Sequence, residues 1–154
     1  MSTRCTIQIF DPDDMYYIYR HCDGYPHGRH GVPATLAEAL PYAWPFPRFE
    51  ASDFAAAIIR AWKKEGGGNV YFTQGHDCHA DTEYQYNVTT RDGKLRLSVE
   101  AVGWMDGGEQ DRKRRLLFEG LASEAIQYFV EWKLPLREIF NQASRIAPAA
   151  TTHP

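Results

Sequence analysis

The chain opens with two short runs rich in Ile, Tyr and Phe, residues 5–10 and 16–21, separated by Asp11-Pro12-Asp13-Asp14. Strand-forming residues on either side of a cluster with turn chemistry predict a β-hairpin. Gly24, Pro26, Gly28, Gly31 and Pro33 then interrupt any regular pattern, so residues 22–34 are expected to form an exposed loop. Thr35-Leu36-Ala37-Glu38 has the form of a capping box, with Thr35 accepting from the Glu38 amide, and predicts a short helix running to Tyr42.

Pro41, Pro45 and Pro47 forbid continuation of that helix and make Trp44-Pro45-Phe46-Pro47 a stiff apolar connector, either a lid on the core or a contact patch. Ser52 is a good N-cap for the next helix, in which Phe54, Ile58, Ala61 and Trp62 recur at i, i+4, i+7 and i+8. That spacing is an apolar stripe facing a sheet. Gly66-Gly67-Gly68 ends the helix, and its position after a helix and before a strand is the wrong order for a phosphate-binding turn.

Residues 69–73 read as a strand, followed by a polar loop from Gln74 to Thr82. Tyr84, Tyr86 and Val88 alternate with Gln85 and Asn87, and Arg91-Asp92-Gly93-Lys94 turns the chain into Leu95, Leu97, Val99 and Ala101. An Asp-Gly step between alternating runs is a strong hairpin signal. Residues 106–115 read as a polar connector ending in four basic residues, and a final helix is expected from Leu121 to Ser144, kinked at Pro135. The resulting fold class is α+β: a single domain over residues 1–146, with a mainly antiparallel sheet of four to five strands and two to three helices packed on it. Residues 147–154 are expected to be a disordered tail.

Composition narrows the function classes. A chain of 154 residues is long enough to bury a core without disulfides or a structural metal. Its 17 basic and 20 acidic residues leave a formal charge of −3, so nothing draws it in bulk to nucleic acid or to an anionic membrane. The three cysteines are too few and too scattered for a secreted disulfide framework, and no apolar run approaches the roughly 20 residues of a membrane span, which together predict a cytoplasmic protein.

Three kinds of chemistry compete for the polar loops. His21, Cys22, Asp23, His27 and His30 lie in one loop and His76, Asp77, Cys78 and His79 in another, and two His or Cys from each could build the tetrahedral site zinc prefers, with Cys22, His76, Cys78 and His79 as candidate metal ligands. Their spacing lacks any Cys-x-x-Cys pair, so no cofactor is expected, with zinc as the alternative. His21 and Asp23 share one side of a strand, opposite Arg20 and Cys22, and could form an acid–base pair in a metal-dependent or His/Asp-assisted enzyme. The third reading is a non-catalytic binding surface built from Tyr19, Arg20, His21, Asp23, Tyr25 and Trp44, residue types that often dominate interfaces.

The element Tyr19-Arg20-His21-x-Asp23-Gly24-Tyr25-Pro26, followed by Gly67-Gly68-Asn69-Val70-Tyr71 and by Glu83-Tyr84-x-Tyr86, resembles small proteins encoded by phages and prophages whose roles are uncharacterised. The resemblance spans roughly residues 5–100. It implies a genomic setting in which small acidic proteins act by binding host machinery, including defence systems. The expectation is therefore non-catalytic binding of a host protein or a small nucleotide-like ligand, with an anti-defence role among its forms.

Overall fold

The computed structural model describes residues 2–64, 67–104 and 112–130. The described chain is α+β, with one sheet carrying its helices on one face. Strand β1 (Cys5–Phe10) turns into β2 (Met15–Arg20), and a loop leads to α1 (Val32–Leu36), a 3-10 segment (Ala37–Tyr42) and α2 (Ala51–Trp62). Strand β3 (Val70–Thr73) precedes β4 (Tyr84–Arg91), β5 (Lys94–Trp104), β6 (Arg112–Leu121) and α3 (Ala122–Tyr128).

The sheet has six strands in the order β3-β2-β1-β4-β5-β6. All neighbours are antiparallel except the central pair, β1 and β4, which run parallel from Cys5 opposite Tyr84 to Ile9 opposite Val88. The expectation of four or five mainly antiparallel strands is therefore corrected to six in a mixed sheet. The missing strand is β6, whose basic beginning resembles a solvated connector. It is an edge strand, and Lys113 and Arg114 keep their charges at the surface while Leu117 and Phe118 enter the core.

Alternation divides the sheet into two faces. Cys5, Ile7 and Ile9, Ile18, Tyr84, Tyr86 and Val88, and Leu97, Val99 and Ala101 form the core with Phe54, Ile58, Ala61 and Trp62 of α2. Ala125 and Phe129 close the same core beside β6. The rest of the expected final helix, beyond residue 130, lies outside the described residues, as do the tail and most of the connector at 106–111.

Local signals resolved in two ways. The Asp-Gly hairpin forms as expected, with Asp92 and Gly93 at φ of 53° and 73°. The two helix caps do not. Thr35 lies inside α1, whose N-cap is Gly31, and α2 is preceded by Glu50 with Ser52 already in its first turn. The first amide of α2, that of Ala51, donates instead to Asp11 Oδ2 at 2.7 Å, while Asp11 Oδ1 accepts from the amides of Asp13 and Asp14 at 2.8 Å each. One carboxylate thus shapes the β1–β2 turn and caps a helix forty positions away.

Those backbone donors hold the Asp11 carboxyl below its ordinary range, the Ala51 amide contributing most. A depressed carboxylate adds stability that is present at neutral pH and fades as pH falls through its folded-state value. Asp11→Ala should cost about 1 kcal/mol, as loss of an N-cap does, and should flatten the acid limb of stability against pH. Urea titrations of both proteins from acid to neutral pH check this.

Candidate functional site

The face of the sheet opposite the described helices, here called the helix-free face, carries ordered rows of polar and aromatic side chains, because cross-strand register aligns them. One row reads Tyr71, Tyr19, Thr6, Gln85 and Glu100, and the next reads Thr73, Tyr17, Gln8, Asn87, Ser98 and Glu119. A bulge in β6 opposite Val99 and Glu100 changes the phase of that strand. Arg114 consequently joins this face, its Nε donating to Gln85 Oε1 at 2.9 Å and its guanidinium pairing with Asp77.

The loop between β3 and β4 lies over this face and is held by His76. Thr6 Oγ1 lies 2.7 Å from His76 Nδ1, His76 Nε2 lies 2.9 Å from Asn87 Oδ1, and Asn87 Nδ2 donates to Ser98 Oγ at 2.9 Å. A neutral imidazole protonated on Nε2 satisfies the whole series, with Thr6 donating to Nδ1. Burial, the dominant cause, lowers the His76 pKa and favours that neutral form, partly opposed by the bond to Asn87. Tyr17 meets the His76 ring edge-on with centroids 5.1 Å apart.

Between this loop and the sheet lies an open cavity of about 610 Å³, lined by Tyr17, His76, Asp77, Gln85, Asn87, Glu100 and Arg114 among others. Gln85 is buried at its floor, and Glu100 is half-buried there. Burial raises the Glu100 pKa, and Arg114 draws it back down.

At the other end of the loop, His79 stacks on Tyr19 at 4.0 Å and its Nε2 lies 3.1 Å from Thr73 Oγ1. The Tyr19 hydroxyl donates to Asp81 at 3.2 Å, and Arg4 Nε lies 3.0 Å from the same carboxylate. Burial first, then Asp81, pushes the Tyr19 phenol up to about 12.

The six residues expected to form a binding surface are separated by this geometry. Tyr19 and His21 share the helix-free face, with Arg4 Nε donating to His21 Nδ1 at 3.2 Å. Arg20 turns to the opposite face, where Nη1 donates to Thr35 Oγ1 at 2.8 Å and the guanidinium lies 4.1 Å from the Trp62 ring centre. Asp23 adopts φ of 58° and accepts from the Tyr25 hydroxyl at 3.1 Å, while Tyr25 packs against the core. Trp44 stands outside, covered by Arg48 at 3.4 Å, whereas Phe46 of the same connector packs inward on Phe49 and Phe54.

The distinctive Arg-His-x-Asp-Gly-Tyr-Pro element therefore joins the hairpin to the helical layer. Gly24 shows why its sequence is particular: a Cβ there would sit 2.8 Å from the Thr3 carbonyl oxygen, too close to be tolerated. Tyr86 donates to the Gly24 carbonyl at 2.7 Å from beneath. The cysteine and histidine candidates are dispersed: Cys22 and Cys78 are exposed thiols, and both ring nitrogens of His76 have oxygen partners. Among the described residues no group of three or more His, Cys, Asp or Glu is gathered as a metal site would require.

Gln85, Asn87, Ser98, Glu100 and Arg114 were not singled out as site residues by sequence reasoning. The available signal was the alternation of Gln85 and Asn87 with Tyr84, Tyr86 and Val88, which identifies a polar face without showing that a distant loop covers it. Among the described residues, no helix is long and apolar enough to cross a membrane. Compared with known proteins, the chain matches no family model, and no curated protein or solved structure is significantly similar to it.

Two substitutions separate structural from surface roles. Arg20→Ala removes a buried charged hydrogen bond and a cation–π contact, and a loss of about 2–4 kcal/mol is expected in urea unfolding. His76→Ala removes two hydrogen bonds at about 1 kcal/mol each, so amides of residues 74–82 should exchange roughly tenfold faster or more. Because the folded-state pKa of His76 is depressed, its contribution is present above the ordinary histidine range and fades as pH falls. Loop protection in the native protein should decline with acidification, a decline that His76→Ala abolishes.

Proposed function

We propose that this protein is a non-catalytic binding module that captures a small, planar, polar ligand on the helix-free face of its sheet. The observation that carries this reading is the 610 Å³ cavity in which a neutral imidazole, two carboxamides, two carboxylates and a guanidinium converge beside Tyr17. Polar groups that converge in a concave site beside an aromatic ring can fix the orientation of a small molecule. His76, Asn87 and Ser98 are held by one another, so the cavity is arranged before a ligand enters and less ordering accompanies binding.

A nucleotide-like ligand suits this set. Carboxamides match the paired donors and acceptors of a base edge, and an aromatic ring provides the stacking partner. Tyr17→Ala should weaken capture by about 1–3 kcal/mol, roughly 5- to 150-fold, as removal of a base-stacking ring does. Native mass spectrometry of gently purified protein, followed by calorimetric titration with nucleosides, tests the reading. An empty native protein that binds none of the common nucleosides would sink it.

A second reading follows from one other observation. Met15, Tyr71 and Phe72 are exposed at the β2–β3 edge, where β3 pairs on one side only among the described residues. An edge strand flanked by exposed apolar side chains can accept a strand from another protein. This is the surface through which a host-binding or anti-defence role, implied by the phage resemblance, would operate.

A further inference from the structure

A second cavity on the same sheet face shares one lining residue with the capture cavity. A cavity of about 490 Å³ is lined by Phe10, Thr89, Arg91, Arg96, Ser98 and Glu119, with Asn87 common to both spaces. Strand register orders these groups. Asn87, Ser98 and Glu119 face one another across β4, β5 and β6, and Thr89 faces Arg96 one row further along. Successive rows lie two residues, about 6.6 Å, apart, so Arg96 stands one row and Arg91 two rows from Asn87.

Charge changes along this trough. Neither Arg91 nor Arg96 forms an ion pair among the described residues, whereas Arg114 at the far end is already paired with Asp77 and Gln85. Two carboxylates also border the second cavity, and they differ in availability. Asp11 is engaged by the amides of Asp13, Asp14 and Ala51. Glu119 has no ion pair among the described residues and stands in the row of Asn87 and Ser98, next to the row that holds Arg96. A carboxylate at that place can accept from ribose hydroxyls, as acidic residues do in dinucleotide sites.

We infer that the two cavities form one site for a nucleoside 5′-monophosphate, with the base at Tyr17, Gln85 and Asn87, the ribose at Ser98 and Glu119, and the phosphate at Arg96 and Arg91. This assignment rests on the ligand-capture reading and adds the anionic end of the ligand. Guanidinium groups suit that end because their planar forks match phosphate oxygens, and their bonds to it are charge-assisted.

Calorimetry of the full chain with adenosine, guanosine, cytidine and uridine, and with their 5′-monophosphates, tests it. At least one nucleoside should bind, and its monophosphate should bind about tenfold tighter or more, the advantage shrinking at high salt. The Arg91→Gln, Arg96→Gln double variant should lose that advantage while keeping the nucleoside affinity within about twofold and an unchanged melting curve. A nucleoside that binds as tightly as its monophosphate, or a monophosphate advantage that survives in the folded double variant, overturns the phosphate assignment and leaves ligand capture standing. Absence of binding by every nucleoside and every monophosphate to folded protein overturns both.

Discussion

The parallel pairing of β1 with β4 is the constraint on which the rest of the architecture depends. Adjacent parallel strands need a long crossover, because the chain must return to the same end of the sheet before it can run alongside itself. Here the crossover contains β2, α1, the 3-10 segment, α2 and β3. It places the hairpin strands on one side of β1 and the β4–β6 meander on the other, so β1 is paired along both edges. The helices of this crossover pack on the face formed by Cys5, Ile7 and Ile9.

Among the described residues, that one-sided packing leaves the second face without a helix. Its central strands carry polar residues that do not build an apolar core: Thr6, Gln85 and Asn87 bond the overlying loop, Asn87 bonds Ser98, and Gln8 bonds Tyr17 of β2. The loop between β3 and β4 crosses from one half of the sheet to the other and passes over these strands. His76 pins it in place by spending both ring nitrogens on partners from β1 and β4. The polar cavity therefore follows from topology combined with one buried imidazole: topology brings the loop over the sheet, and the imidazole keeps it at a fixed height.

The conspicuous element near residues 19–26 is divided by its own strand geometry. Arg20 and His21 are neighbours in sequence, but strand alternation sends one into the helical layer and the other toward Arg4 and Asp81. Gly24 passes against the backbone before β1, and Asp23 takes a left-handed conformation beside it. A motif can thus be sharply defined because a chain crossing admits few residues, without its side chains forming a common site. Residues with weaker local signatures, Asn87 and Gln85, line the cavity instead.

Periodicity alone determined most elements of this protein, because burial of one face imposes its repeat directly on the sequence. The first hairpin, the stripe of α2 and the Asp92-Gly93 turn were legible for that reason. The count of strands was not, since β6 is an edge strand whose basic beginning has the composition of a solvated loop. The helix caps were also decided elsewhere: the Asp11 carboxylate outcompetes local Ser52 at the start of α2 because the folded chain delivers it to the Ala51 amide. The convergence of Tyr17, His76, Asn87 and Arg114 likewise depends on contacts between distant segments and, for Arg114, on a bulge that reverses the strand's phase. Sequence determined which residues could bury and which could bond; tertiary structure decided which of them meet, because register and crossover are properties of paired strands and not of any one segment.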